Sequence, residues 1–234
     1  MASTAVDGEP ASLADLVEHH GTRGRSVAIV GAHGGAGTTT AALSLAIGTE
    51  RGVCLIDADI AGGDLAERLA LPERMSDAGL AGSPISAQSA FAELSRRVSF
   101  GVFLALCPRP DLAWLIRDGL ARDVTRMAMR HTALAVIDAG RPLGPTCEPV
   151  VDADVVVIVA HSHRPDSAAR ARRRLVRLGV DERRLIDCPS TPTMLERIAG
   201  RVRGSNRSID VLRSDDLILL VEGRLAMLGP RERQ

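Results

Sequence analysis

Ser26–Thr40 reads S-V-A-I-V-G-A-H-G-G-A-G-T-T-T, an apolar, β-branched run that breaks into four glycines and then three threonines. That order predicts a buried strand ending at Gly31, a tight loop, and a helix over Thr39–Gly48. Glycines let the backbone turn with its N–H groups inward, and the positive end of the helix dipole faces the same space. The stretch is therefore suited to holding a phosphate without any charged side chain. Two further apolar segments end in acid. Val53–Asp57 runs into D-A-D-I-A-G-G-D, Asp57 to Asp64, and Ala133–Asp138 closes on its own carboxylate.

Working outward, apolar runs predict further strands at Gly101–Leu106, Val155–Ala160 and Arg184–Asp187. Helical spacing falls at Leu65–Leu71, Ile85–Val98, Asp111–Arg130, Ser167–Leu178 and Thr193–Gly200, with a short helix at Ser12–His20. Strands alternating with helices predict an α/β fold, a doubly wound, mostly parallel sheet covered on both faces. After Arg201 the texture changes. Ile209–Leu212, Leu217–Val221 and Leu225–Leu228 read as short strands, with Glu222-Gly223 as a tight turn. The chain thus divides into an N-terminal extension (1–24), one large α/β domain (25–205) and a β-rich C-terminal segment packed on it (206–234).

The glycine loop resembles that of the deviant-Walker P-loop proteins of the MinD/ParA type, G-K-G-G-x-G-K-T-T. Gly34, Gly35, Gly37, Thr39 and Thr40 match, with Ala36 at the variable position. Ala32 stands at the first glycine, His33 at the signature lysine, and Thr38 at the lysine that reaches the terminal phosphates. No other lysine can replace them, since all 29 residues of the Lys+Arg total are Arg. The resemblance implies a P-loop NTPase-like three-layer sandwich that binds ATP or another purine nucleotide with Mg²⁺. It implies phosphate contacts from Gly34, Gly35, Ala36, Gly37, Thr38, Thr39, Thr40 and His33, and metal contacts from Thr39, Asp57 and Asp138, partly through water. Asp138 takes the Walker B place and Asp59 that of the water-orienting acid. Asp187 falls where the family carries a base-contacting Asn.

In texture the chain is most similar to the CpaE, TadZ and septum-site-determining branch, with D-A-D-x-x-x-G-D after the second strand and Asp138-Ala139-Gly140-Arg141-Pro142 at the end of the Walker B-like strand. That implies a homodimer recruiting protein partners in division, chromosome partition or pilus and secretion assembly. Loss of the loop lysines removes cationic groups that are worth several kcal/mol in phosphoryl transfer, so hydrolysis is expected to be weak or absent. Arg141 and Arg164, at the ends of later strands, are candidate replacements. His33 is the other, because a neighbouring phosphate would raise its pKa.

Composition narrows the field. Net charge is +0, so no whole-molecule field draws in nucleic acid or anionic membrane. The longest apolar runs fall well short of the ~20 residues of a membrane span, and no secretory h-region is visible. The four cysteines, Cys54, Cys107, Cys147 and Cys188, form no CxxC pair and read as reduced thiols of a cytoplasmic protein. Aromatics are 2% and Tyr is absent, so the core must be aliphatic.

Rival readings come from the same residues. Gly31, Gly34 and Gly37 spell G-x-x-G-x-x-G, and Asp57 ends the next strand, where an NAD-type dinucleotide fold places its ribose-binding acid. A catalytically dead pseudo-ATPase scaffold that binds partners only is a second alternative. Arg170, Arg173, Arg174 and Arg177 line one face of Ser167–Leu178 opposite Ala168, Ala171, Leu175 and Leu178. DNA binding there is the weaker reading against a solvated face. His161 and His163 offer two metal ligands but no third, so a polar loop near the site is the stronger reading.

Overall fold

The computed structural model describes residues 24–49, 52–59, 63–71, 86–106, 119–142, 147–190 and 215–228. Its strands are β1 (Arg25–Gly31), β2 (Val53–Asp57), β3 (Ser95–Val98), β4 (Gly101–Ala105), β5 (Leu134–Asp138), β6 (Val155–His161) and β7 (Leu185–Ser190). The helices are α1 (Thr38–Gly48), α2 (Leu65–Arg68), α3 (Ala87–Leu94), α4 (Leu120–His131), α5 (Cys147–Asp152), α6 (Pro165–Arg177) and α7 (Asp215–Met227). The strands form one seven-stranded sheet in the order β3-β4-β2-β5-β1-β6-β7. Every pairing is parallel except β3 with β4.

Continuous apolar strands are what a sheet buried on both faces requires, and alternate residues feed two separate cores. Ala28, Val30, Cys54 and Ile56 pack with α3, α4, α5 and α6 through Phe91, Leu94, Val124, Val150 and Leu175. Val27, Ile29, Val53 and Leu55 pack on the other face with α1, α2 and α7 through Leu45, Leu65, Leu217 and Val221. The expected three-layer α/β sandwich is present.

The strand order decides where chemistry can occur. β5 lies between β1 and β2, with Ile29 opposite Asp138 and Asp138 opposite Asp57. In the dinucleotide fold the second strand lies directly beside the first; here it does not, so Asp57 meets Asp138 rather than the glycine loop. By the two-residue period of a strand, Asp57 and Asp138 continue the rows that hold Leu55 and Val136, which face α1.

Three local expectations need correction. The helix predicted over Ile85–Val98 stops at Leu94, and Ser95–Val98 is strand β3, turned back through Ser99-Phe100 into β4. Leu217–Val221 and Leu225–Leu228 are not strands and Glu222-Gly223 is not a turn; all but Leu228, which follows the last turn, belong to helix α7. Short apolar runs do not distinguish the two states, and the decisive spacing is Leu217, Val221, Leu225 at four-residue intervals, which puts one stripe on the sheet. Leu178, assigned to the apolar face of α6, caps that helix with 39% exposure. The segments predicted at 12–20, 111–118, 193–200 and 209–212 lie outside the described residues, as does Cys107. Cys54, Cys147 and Cys188 are free thiols.

Because Leu217 is almost fully buried between α7 and the α1 face of the sheet, Leu217→Ala is expected to lower stability by about 2–4 kcal/mol in urea unfolding. A loss under about 1 kcal/mol would mean that α7 does not pack as described.

Candidate functional site

The carboxyl ends of β1, β2, β5 and β6 bring the glycine loop and the acids together. Main-chain bonds set the loop's root: Gly31 N–H donates to Gly140 O at 2.7 Å, and Ala32 N–H to Val159 O at 2.9 Å. Gly37 enters α1 in the left-handed region (φ 94°), and no side chain caps the helix N-terminus. The first-turn N–H groups of α1 are thus left to a ligand or water. A Cβ on Gly34 would meet nothing within 4 Å, so the loop there borders open space. Thr38, at the missing lysine's position, is buried, and its hydroxyl lies against Gly31. What it can offer a phosphate is its main-chain N–H.

The acids crowd beside this loop. Asp138 is fully buried and Asp57 nearly so. Asp57 Oδ1 accepts from Asp59 N–H at 3.1 Å, and Asp138 Oδ1 from Gly140 N–H at 3.2 Å. The Asp59 carboxylate lies over Gly140, whose φ of 49° and close approach leave no room for a side chain; Gly63 gives way to Asp57 in the same manner. Burial, then the charge of Asp138, push the Asp57 carboxyl up to about 8. Burial raises Asp138 to about 6, opposed by hydrogen bonds from the Thr39 hydroxyl and Gly140 N–H.

Asp138 Oδ2 is buried with no hydrogen-bond partner. The contrast with the amino end of the sheet is informative. There Asp154 is equally buried, yet it accepts from Ser26 N–H at 2.8 Å and Ser26 Oγ–H at 3.0 Å and pairs with Arg25 at 3.8 Å. A bare buried carboxylate oxygen costs free energy unless something positive joins it, so Asp138 has the character of a ligand group. The surrounding donors are all oxygen, which suits a hard cation such as Mg²⁺. Among the described residues no three His, Cys, Asp or Glu side chains converge to cage an ion by themselves. This agrees with the preference of Mg²⁺ for one or two carboxylates, with waters and phosphate completing the shell.

Asp187 lies three residues before the end of β7, opposite Ile158, and its carboxylate accepts from Arg172 at 2.9 Å. Arg141 is exposed beyond β5, and Arg164 is exposed at the start of α6. Arg174, counted on the arginine face, donates to Pro142 O at 3.1 Å.

Both ring nitrogens of His33 have main-chain neighbours: its Nδ1 lies 2.9 Å from Gly34 O, and its Nε2 accepts the His161 N–H at 3.3 Å. Asp64 and Gly140 are site residues that sequence reasoning underweighted. The signal was present in D-x-x-x-G-D and D-x-G, where small residues flank acids.

No protein-family model matches the chain, and no curated sequence matches it significantly. Solved structures match in fold. The ATP complex of a Cyanothece McdA variant superposes with a TM-score of 0.56 at 15% identity, covering 92% of this chain and 100% of that one. Cobyrinic acid a,c-diamide synthase from Mycobacterium smegmatis, with bound ADP and magnesium, gives 0.56 at 18% identity over 85% of this chain and 94% of that one. The kinase domain of Escherichia coli tyrosine kinase ETK gives 0.51 at 16% identity over 73% and 69%. At these identities the likeness is one of fold.

The raised carboxyl of Asp57 fixes the sign of a pH effect. A folded-state pKa above the ordinary 3.8 means the native chain holds the extra proton between that value and about 8. Metal-free stability therefore falls as pH rises through this window. In chelator, Asp57→Asn is expected to raise Tm by several degrees near pH 8.5 and to change it little near pH 5. Equal shifts at both pH values would refute the buried acid pair.

Proposed function

We propose that the chain is a MinD/ParA-like nucleotide-binding protein that takes a purine nucleoside polyphosphate, ATP first, together with Mg²⁺. The observation that carries this reading is the unpartnered Oδ2 of Asp138, buried beside the Thr39 hydroxyl and next to an uncapped glycine loop. The main chain from Gly34 to Thr40 would donate to phosphate oxygens. Thr39, Asp57 and Asp138 would hold the metal, partly through water. When bound, Mg²⁺ supplies the charge that offsets both the acids and the phosphates. Asp59, held over Gly140, would orient a water, and Asp187, half-exposed and paired with Arg172, would stand where the base is contacted.

Binding and turnover separate on this chain. Backbone N–H groups and a metal suffice for binding, whereas transferring a phosphoryl group relies on cations that this lysine-free chain lacks. We therefore assign it a binding role with slow or absent hydrolysis. Nucleotide occupancy would set dimerisation and the recruitment of protein partners in a positioning or assembly system. The fold neighbours crystallised with ATP, and with ADP and magnesium, support the ligand class. Among the described residues no helix is long and apolar enough to cross a membrane.

Calorimetry is expected to find Mg²⁺-dependent uptake of ATP, and no uptake of ATP, ADP, GTP or GDP would end the proposal. Gly34→Ala is the sharper test, because the added methyl enters open space and the backbone there is not left-handed. Its unfolding free energy should stay within the roughly ±0.5 kcal/mol typical of a neutral surface change, while affinity for Mg·ATP falls about tenfold or more, about 1.4 kcal/mol. Unchanged affinity would show that the loop is not the phosphate cradle. Phosphate release that Asp59→Ala abolishes would instead establish a working ATPase.

A further inference from the structure

Three histidines that the nucleotide reading leaves without a role stand in one column at the loop. The rings of His33 and His161 stack with centroids 4.8 Å apart at 29°, and those of His161 and His163 at 5.2 Å and 12°. They come from different elements, His33 from the glycine loop, His161 from the end of β6, 128 residues away in the chain, and His163 from the turn that follows. Face-to-face stacking turns the ring nitrogens outward from the column rather than toward one point, in accord with the absence of a metal-binding group among the described residues.

The hydrogen bonds give the column a direction. His33 Nε2 accepts the main-chain N–H of His161, so it carries no proton; the proton is on Nδ1, which donates to Gly34 O. The His161 ring in turn donates to the Gly35 carbonyl. Residues 33 and 35 of the loop are therefore both tied to one residue of β6, and Gly35 is held in the left-handed region at φ 72°.

We propose that His33 and His161 form a clasp that shapes the phosphate loop, closed when the imidazoles are neutral and released when His33 is protonated. His161 is a positioning residue in this scheme, and the proposal rests on the nucleotide reading for the loop's purpose. The physical cause is local. A proton on His33 Nε2 would set an N–H against the His161 N–H, donor against donor, and would place a positive charge on a stacked neighbour. The charged and titratable groups around the column are His163 and Arg164 on the β6–α6 turn, with Asp166 following in the first turn of α6. His163, Arg164 and His33 all oppose charge on His161. The loop from Ala32 to Gly37 contributes no other charged side chain, and Ser190, paired with His161 on β7, is neutral.

The direct test needs no nucleotide. Hydrogen exchange of the His161 amide, which donates to His33 Nε2, and of the Ala36 amide, which donates to His33 O, is measured in the ligand-free chain from about pH 7.5 to about pH 5.5, each rate divided by its intrinsic value at that pH. Protection is expected to fall several-fold on acidification in the native chain. It should stay level in His33→Gln, whose amide offers a donor and an acceptor but does not titrate. His161→Ala, which keeps the main-chain N–H but loses the ring bond to Gly35, should show lower protection throughout. Level protection in the native chain would overturn the clasp. So would Mg·ATP affinity that rises on acidification, since that would make the imidazoles phosphate cations. Loop opening at low pH in a chain that takes up no nucleotide would support the clasp and refute the nucleotide reading.

Discussion

Two carboxylates on adjacent parallel strands repel each other, and burial removes the water that would screen them, so the side-by-side placement of Asp57 and Asp138 is costly for any chain that keeps it. Much of the surrounding architecture accommodates that cost. The glycines at 63 and 140 make room for acidic side chains. Main-chain N–H groups of Asp59 and Gly140 donate to the pair, and the Thr39 hydroxyl adds another bond. What is left over is one bare oxygen, Asp138 Oδ2.

Charge in the rest of the site is arranged by subtraction. The lysine positions of the resembled loop hold His33 and Thr38, and neither side chain is turned to the phosphate space. One imidazole bridges the loop to β6, and the hydroxyl packs under the loop against Gly31. The loop is thus held by main-chain bonds and by side chains without an ammonium group, unlike the loop pattern it resembles. A cradle of this kind depends on geometry more than on charge, and geometry held by hydrogen bonds is sensitive to whatever changes a donor into an acceptor.

The reading of the candidate site from sequence was strongest where residues act on near neighbours. The order glycine loop, D-A-D, apolar strand closing on Asp138 was enough to single out Asp57, Asp59, Asp138 and Thr39, all of which the fold brings together. It was weakest where a side chain's partner is remote. Asp187 sits on a strand whose identity was legible, but its pairing with Arg172 depends on how α6 lies across β7. The histidines at 33, 161 and 163 were each read as a loop residue, and no spacing signals that they stack.

The chain alone determined the α/β class, the strand that ends at Gly31, the loop and the helix after it, because hydrophobic period and glycine's backbone freedom act within a few residues. Ser95–Val98 and Leu217–Leu228 escaped it, since short apolar runs satisfy strand and helix equally until a neighbour selects one. Tertiary structure alone decided that β5 enters between β1 and β2. That single insertion sets Asp57 against Asp138 and keeps β2 from lying directly beside β1, which the dinucleotide arrangement allowed by the same glycines requires. Strand order is a property of packing between distant segments, and no local pattern encodes it.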